Sequence, residues 1–307
     1  MGRARPPHVE RIVECVPNFS EGRRREVVNA IADAARGVEG VTVLDVELDP
    51  NHNRSVLTFV GPPEATAEAA FRTAQKALEL IDMNVHRGEH PRIGALDVLP
   101  FIPISGVTMT DCVRLARQTG KRIADELGIP VYLYEAAATR PERKALPDLR
   151  KGEYEGLREE IRTNPDRAPD FGRPELHPTA GACVVGARPP LIAYNVNLGT
   201  KDVKVAKRIA RLVREKDGGL PAVRALGFEL RDRGLVQVSM NLIDYTRTPP
   251  VAAFDTVSAH AQRMGVPVVA SEIVGLVPQA ALPPDPAGRL RLENFDPKQI
   301  LENRLRA

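Results

Sequence analysis

Several features that would narrow the function are scarce or missing in this 307-residue chain. It has no tryptophan, three cysteines and 4% aromatic residues. The cysteines (Cys15, Cys112 and Cys183) are odd in number and widely separated, without the spacing of metal ligands, which favours a reducing cytoplasm. No apolar run approaches the roughly 20 residues that a membrane span needs, and no signal peptide is recognisable. The first ten residues are interpreted as a loose leader.

The charge pattern also excludes one class of partner. The net charge is +3, and no basic tract interleaved with aromatic residues occurs. Nucleic acid is therefore disfavoured as the main partner, whereas a few local arginines are sufficient for an anionic small molecule. Hydrophobic residues make up 43% and charged residues 27%, the balance of a globular protein. The length favours two domains, or two halves of one, over a single core.

The apolar pattern repeats once along the chain. Each half reads as strand, helix, two-stranded hairpin, helix and strand, with hairpins at 41–60 and 223–242. The passages from helix to strand also match, with Leu-Gly-Ile-Pro-Val at 127–131 and Met-Gly-Val-Pro-Val at 264–268. The repeat predicts an α/β (α+β) protein of two ferredoxin-like (split βαβ) subdomains, residues 1–188 and 189–307.

Each subdomain is predicted to be a mixed sheet with helices on one face. The two sheets are expected to face each other across a ligand cleft, and a tightly packed sandwich without a cleft is the alternative. Residues 139–180 are rich in charge and proline, with one short helical pattern at 153–162, and are predicted to be a connection outside the core. Ser20 is predicted to cap the first helix.

Residues 86–104 concentrate reactive side chains at the start of an apolar strand. Gly88, Pro91 and Gly94 prevent a helix here, so His90 is expected on a loop that leads into the strand. A loop carried by rigid elements is where reactive groups tend to lie. A histidine has an ordinary pKa near 6.5, so His90 is a candidate base that takes a proton from one nitrogen and delivers it to another. The alternative is a structural histidine that fixes the turn.

No metal site is predicted, although His86 and His90 are four residues apart. That spacing places two ligands on one face of a helix, but Gly88 and Pro91 exclude the helix, and no third ligand is nearby. Asp97 interrupts the apolar strand and is expected to pair with Arg92 or His90, because an unpaired buried carboxylate is costly. His90, Asp97 and Arg92 are therefore the predicted catalytic group. The alternative for Asp97 is the solvent face of an edge strand.

Other polar side chains are candidates for binding the substrate. Arg54 follows the first hairpin turn, and Arg188 precedes two prolines. Either arginine has the planar fork that clamps a carboxylate. Asn195 and Asn241 are at strand positions from which an amide can bind a polar ligand, although each can equally close a strand end.

A loop bounded by glycine and proline, residues 172–181, leads into a later strand. Glycines at both of its ends allow backbone to approach a flat ligand closely. The candidate binding residues in this loop are Gly172, His177, Pro178, Thr179, Ala180 and Gly181.

Taken together, these residues resemble the glutamate formimidoyltransferase family. The matching stretches occur in order from residue 12 to the tail: VECVPNFSEG at 13–22, NRSV at 53–56, GEHPR at 88–92 and on through Asp97 to Pro103, DFG at 170–172, GAR at 186–188, NVNL at 195–198 and VGLVP at 274–278. The first and third stretches are long enough to be specific.

The resemblance implies transfer of a formimidoyl group from N-formimidoyl-L-glutamate to N5 of tetrahydrofolate in histidine degradation. It also implies two α/β subdomains with the substrates between them, no metal, and a homodimer. The catalytic histidine of the family corresponds to His90, and its folate loop to residues 172–181. Animal members have a tryptophan just before the closing glycine of that loop, which this chain lacks. They also continue into a cyclodeaminase domain that has no counterpart in this sequence.

Two alternatives stay open at this point. A relative in the same family could transfer a formyl group, as a glutamate formyltransferase or a 5-formyltetrahydrofolate-handling enzyme does, because the acyl substituent differs by one atom. A folate-binding protein without turnover is the alternative of another class. His90 together with Arg92 and Asp97 favours catalysis.

Overall fold

A computed structural model describes residues 11–305 of the chain. The predicted leader, residues 1–10, lies outside the described residues. The chain divides into two compact units, the first ending at Arg188 and the second beginning at Pro189. Within residues 11–305, no helix is both long and apolar enough to cross a membrane.

The first unit contains seven strands and five α-helices in its described part. The strands are β1 (Ile12–Cys15), β2 (Asn18–Phe19), β3 (Thr42–Asp49), β4 (Arg54–Gly61), β5 (Leu96–Ser105), β6 (Val131–Glu135) and β7 (Cys183–Ala187). The helices are α1 (Arg25–Arg36), α2 (Pro63–Leu80), α3 (Met109–Leu127), α4 (Leu146–Leu149) and α5 (Glu153–Glu160).

The seven strands form one mixed sheet. β1 and β2 lie between β4 and β5, β3 pairs with β4, and all of these neighbours are antiparallel. With α1 and α2 they make the predicted ferredoxin-like arrangement. After α3, the strand β7 lies between β5 and β6 and is parallel to both. The main core packs α1, α2 and α3 against one face of this sheet.

The second unit contains four strands and four α-helices in its described part. These are β8 (Ile192–Leu198), α6 (Val203–Val213), β9 (Val223–Leu230), β10 (Leu235–Leu242), α7 (Pro250–Arg263), β11 (Val268–Val274), α8 (Pro286–Leu290) and α9 (Leu301–Leu305). The sheet order is β11-β8-β10-β9, which is again ferredoxin-like. Every pair is antiparallel, so the expectation of a mixed sheet is wrong for this unit. β8 and β9 run in the same direction, but β10 lies between them, so no two adjacent strands of this sheet are parallel.

Local sequence signals explain several of these boundaries. Thr108 caps α3 in a reciprocal capping box with Asp111, and Gly128 ends that helix in the left-handed conformation. The predicted cap at Ser20 is wrong, because α1 begins at Arg25. Ser20 instead extends the sheet: its hydroxyl donates to the Gly94 carbonyl at 2.7 Å and its backbone N–H donates to Ala95 at 2.9 Å.

The interpretation of residues 139–180 as a connection outside the core is also wrong. Part of this segment packs on the face of the first sheet opposite the main helices, where it forms a second core. The segment contributes buried Leu149, Leu157 and Ile161 to this core, while its Tyr154 packs into the main core. These few apolar side chains are enough to cover the sheet, while the more numerous charges face solvent.

Candidate functional site

The loop between α2 and β5 carries His90 and is fixed by close backbone packing. A Cβ at Gly88 would lie 2.2 Å from the carbonyl oxygen of His52, so only glycine fits there. Asn53 adopts a left-handed φ of 49°, a conformation that asparagine tolerates. Its side chain accepts from the backbone N–H of Gly22 at 3.0 Å and donates to the carbonyl of Arg87 at 2.9 Å.

His86 is a structural histidine. It is 7% exposed, and its Nε2 lies 3.0 Å from the backbone oxygen of Asn53. Nε of Arg92 donates to the Nδ1 of His86 at 3.3 Å. These contacts select the tautomer with the proton on Nε2 and leave no lone pair for a metal. Burial lowers the pKa of His86, which keeps the ring neutral.

A narrow pocket lies beside His90. It has room for little more than a water molecule, about 10 Å³. Its lining residues come from the segments around β2, the first hairpin turn and the His90 loop: Asn18, Phe19, Ser20, His52, Asn53, Arg54, His86, His90, Arg92 and Asp97. The structure therefore brings together four of the predicted site residues, namely His90, Arg92, Asp97 and Arg54.

His90 is half-buried and its environment is positive. Its ring meets the ring of His52 edge-on, with centroids 6.2 Å apart. Burial, followed by the charges of Arg54 and Arg150, lowers the pKa of the His90 imidazole to about 3. The ordinary value near 6.5 assumed from the sequence is thus wrong for the unliganded protein. The imidazole is neutral at physiological pH and can accept a proton.

Asp97 is 2% exposed on β5, but its partners are not the predicted ones. One carboxylate oxygen accepts from the backbone N–H of Ile93 at 2.8 Å, and the other accepts from the guanidinium of Arg150. The expected pairing with Arg92 or His90 is wrong. Arg150 lies 53 residues further along the chain and closer to this carboxylate than either of them, because the second core folds back over the sheet.

Arg92 is occupied by two other carboxylates. It donates to Glu153 at 2.7 Å and forms a two-point pair with Glu155 at 2.7 and 2.8 Å. The side chain of Arg92 is 7% exposed. Its contacts fix the strand end after His90, which identifies it as a structural anchor at the edge of the pocket.

Arg54 enters the pocket from the start of β4. Its Nε donates to Oδ1 of Asn18 at 2.9 Å, and one terminal nitrogen donates to the same oxygen. Asn18 is held in turn by its own bond to the carbonyl of Val16 at 3.0 Å. The side-chain contacts within the described residues thus use one edge of the Arg54 fork, which leaves Nη1 for a carboxylate.

The loop at 172–181 is joined to the His90 loop through its backbone. Gly181 forms a bridge with Gly94, and its φ of 72° is left-handed. The Nδ1 of His177 accepts from the backbone N–H of Ala180 at 3.1 Å, so this side chain stabilises the loop itself. Gly172 and Pro178 are exposed, whereas Thr179 is half-buried and Ala180 is buried.

An open groove of about 520 Å³ lies next to this loop. Its lining residues are Met83, Asn84, Arg87, Tyr154, Glu155, Arg158 and Glu159. Met83 donates its backbone N–H to Thr179 at 2.7 Å, and the Asn84 amide donates to the carbonyl of Pro178 at 2.8 Å. Two lining residues thus contact the predicted folate loop, and the groove is large enough for an organic ligand.

The remaining candidates do not line the His90 pocket. Asn195 and Asn241 lie on one face of the second sheet, where Asn195 donates to Glu272 at 2.9 Å and Asn241 is exposed. Arg188 lies beside buried Glu14 and Tyr134, whose pKa values it lowers in opposition to burial.

Asn18 and Asn53 line the pocket and were missed as site residues, and Glu14 was missed as a buried titratable group outside the pocket. Burial raises the pKa of Glu14 to about 7, against a smaller opposing effect of Arg188. The signal for Glu14 was available, since it is a carboxylate inside an apolar strand, as Asp97 is. Asn18 and Asn53 carried no such signal. Among residues 11–305, no three His, Cys, Asp or Glu side chains are grouped so as to hold a metal ion.

Comparison with known proteins gives two family matches. The model described as "Formiminotransferase domain, N-terminal subdomain" matches residues 12–188, and "Formiminotransferase domain" matches residues 193–289.

Similar proteins of several organisms carry related names. A glutamate formimidoyltransferase of Thermoplasma acidophilum is 52% identical over 96% of this chain and 97% of its own length. One from Streptococcus pyogenes is 47% identical over 96% and 99%. A formimidoyltransferase-cyclodeaminase of Sus scrofa is 48% identical over 89% of this chain but 51% of its own length. The similarity therefore extends over nearly the full length of the two proteins named for the transferase alone.

Proposed function

The chain belongs to the formiminotransferase family, and from this premise we propose the reaction that it catalyses. It transfers the formimidoyl group of N-formimidoyl-L-glutamate to N5 of tetrahydrofolate, giving L-glutamate and 5-formimidoyltetrahydrofolate, in histidine degradation. Tetrahydrofolate is a co-substrate. The observation that carries the proposal is the neutral imidazole of His90 beside a pocket lined with arginine and sized for a one-carbon group.

The chemistry requires a proton to move between two nitrogens. N5 attacks the amidine carbon, a bond forms between them, and His90 takes the proton that N5 loses. The tetrahedral intermediate then breaks its bond to the glutamate nitrogen, which receives the proton from His90. A single positioned base serves both steps and contributes about 10²–10⁴ to the rate. Holding both substrates in place supplies several kcal/mol more.

A carboxylate of the donor substrate supplies the negative charge that the surroundings of His90 lack. A base with a pKa of about 3 is weak, and Arg54 and Arg150 disfavour the imidazolium that must form. The donor brings two carboxylates. Binding one of them to the free edge of Arg54 cancels part of this positive field and raises the pKa of His90 toward the working pH. Substrate binding and activation of the base are thus one event.

Folate is assigned to the groove beside residues 172–181. The pocket at His90 has room for the reacting atoms alone, so N5 must reach its mouth while the rest of tetrahydrofolate lies in the groove, which has the volume of an organic ligand site. Arg158 is exposed at this groove and available for the carboxylates of folate. Arg158→Met is expected to weaken tetrahydrofolate binding roughly 1.5- to fivefold, the worth of one exposed ion pair. Arg114→Met, a substitution on α3 away from the groove, is the matched control in a fluorescence titration.

The decisive experiment incubates purified protein with tetrahydrofolate and either donor. Formation of 5-formimidoyltetrahydrofolate from N-formimidoyl-L-glutamate supports the proposal. Product formed only from N-formyl-L-glutamate identifies a formyltransferase instead. Stoichiometric binding of tetrahydrofolate with no product from either donor identifies a folate-binding protein and refutes catalysis.

Several features stay predictions. They are the catalytic and folate-binding role of residues 1–188, completion of the transferase by residues 189–307 with Asn195 and Asn241, and binding across a cleft between the two sheets. A homodimer and a cytoplasmic location are also predictions. Sedimentation of the purified protein tests the dimer.

A further inference from the structure

One short segment, residues 150–155, holds the chain that follows His90. Arg150 binds Asp97, whose other oxygen holds the backbone of Ile93. Glu153 and Glu155 bind Arg92, two residues after His90. Three ion pairs from six consecutive residues therefore meet the six residues 92–97 and immobilise the chain directly after the base.

The backbone of this segment is unusual where the two sets of contacts meet. Gly152 and Glu153 are both left-handed, with φ of 81° and 56°. Glutamate rarely adopts this conformation, which costs on the order of 1 kcal/mol. Because of this turn, the side chain of Arg150 contacts Asp97 whereas that of Glu153 contacts Arg92. The Nε of Arg150 is also buried, with no hydrogen-bond partner among the described residues. Strain and an unsatisfied donor at one place indicate a functional constraint rather than packing alone.

We propose that residues 150–155 are a brace for the catalytic loop and that Arg150 is its positioning residue, acting on His90 through Asp97 and through its positive charge. This inference rests on the proposed function for its consequence in turnover. The contacts that hold the His90 loop, and the effect of the Arg150 charge on His90, do not depend on that function.

The charges around His90 identify what Arg150 adds. The first hairpin turn supplies His52, which is bonded to Asp49, and β4 supplies Arg54. The His90 loop supplies His86, Glu89 and Arg92, and β5 supplies Asp97. His86 is held neutral, Glu89 is exposed, and Arg92 is neutralised by two glutamates. Arg54 and Arg150, with a smaller contribution from His52, are therefore the positive groups that lower the pKa of the imidazole, and the hydrogen bond to the backbone of Pro91 opposes them.

The test follows the titration of His90 by NMR of ¹³C-labelled histidine, with His90→Ala to assign the signal. Arg150→Met removes the positive charge and leaves Asp97 as an unpaired anion. We expect the midpoint to rise by about one pH unit, because Arg150 is the third cause of the lowered pKa after burial and Arg54. Arg150→Lys keeps the charge and is expected to leave the midpoint within half a unit. Arg162→Met is the matched control, since Arg162 follows the brace in sequence but lies outside it, and its side chain is 65% exposed and pairs with Glu175.

The outcomes separate the brace from the reaction. The inference is overturned if His90 titrates at the wild-type midpoint in Arg150→Met, or if Arg162→Met shifts the midpoint by the same amount. Neither result depends on whether the protein turns over its substrates. Arg150→Gln keeps a donor for Asp97 and replaces the Met variant if that one does not fold. In an active enzyme, Arg150→Lys is expected to lower kcat about tenfold with KM unchanged, because a single-point contact holds the loop less firmly. A wild type without turnover refutes the proposed function and leaves the titration result standing.

Discussion

Replacing two histidines of the same loop should separate chemistry from stability. His90→Ala removes the proposed base but little packing, because the ring is half-buried and its contacts are the edge of His52 and the carbonyl of Pro91. The free energy of unfolding should change by no more than about 0.5 kcal/mol. The turnover number should fall by about 10²–10⁴, which corresponds to roughly 3–5 kcal/mol of activation free energy.

His86→Ala should do the opposite. It removes a buried ring and leaves the oxygen of Asn53 and the Nε of Arg92 without their partners. Two buried polar groups left unpaired cost roughly 2–4 kcal/mol of folding free energy. For a unit of this size, the melting temperature should fall by about 5–10 °C. Turnover measured well below that temperature should stay within about tenfold of wild type.

The dependence of kcat/KM on pH gives a second test that distinguishes His90 from His86. The pKa of His90 is about 3 in the free protein, so its imidazole stays neutral down to acidic pH. The acid limb of kcat/KM due to His90 should therefore lie below pH 5, and not near 6.5 as an ordinary histidine gives. That limb should be missing in His90→Ala. The assay is product formation under steady-state conditions, with calorimetry for stability. Normal turnover by His90→Ala, or loss of turnover without loss of stability in His86→Ala, refutes the mechanism.

Three other substitutions test parts of the fold. Gly181→Val places a Cβ 2.5 Å from the carbonyl oxygen of Ile93, so we expect a lower melting temperature together with weaker folate binding; unchanged stability by calorimetry contradicts this packing. The pKa of Glu14 is about 7 in the folded protein and 4.5 when unperturbed, so the folded state binds the proton more tightly than the unfolded state. The free energy of unfolding should therefore fall by roughly 3 kcal/mol as pH rises from 4.5 to 7. Glu14→Gln should flatten that slope in urea titrations, and an unchanged slope assigns it to other groups. Thr108→Ala removes the capping box with Asp111 and should cost about 1 kcal/mol, which equilibrium unfolding measures against a surface control on α6.

The features that the sequence predicted well depend on short-range signals. The second hairpin, predicted at 223–242, turns at Gly234, where glycine takes the left-handed position that the turn needs. The repeat of element order was enough for the ferredoxin-like halves. The loop position of His90 followed from Gly88 and Pro91. In each case the determining residues lie within a few positions of the element.

The features that the sequence missed depend on contacts between distant segments. Nothing local to Asp97 indicates that its partner is Arg150, and Arg92 was the nearer cation in sequence. The close approach of Gly181 to the carbonyl oxygen of Ile93 is hidden for the same reason, since it occurs across a bridge between two loops. The antiparallel second sheet needed the strand order, which periodicity does not contain. The second core was missed because its segment is rich in charged residues. On α5, for example, solvent-exposed charges and a narrow apolar stripe occur on the same short helix.

The position of β7 imposes an order on folding during synthesis. β6 pairs with β7 and with no other strand of the described chain, yet β7 leaves the ribosome about 50 residues later. At roughly 5–20 residues per second, β6 waits several seconds or more with both edges open. The ferredoxin-like part from β1 to β5 can form earlier from contacts of shorter range. The edge of β5 is closed only when Cys183–Ala187 inserts. Until then the nascent chain exposes unpaired edges of β5 and β6 that a ribosome-associated chaperone can shield.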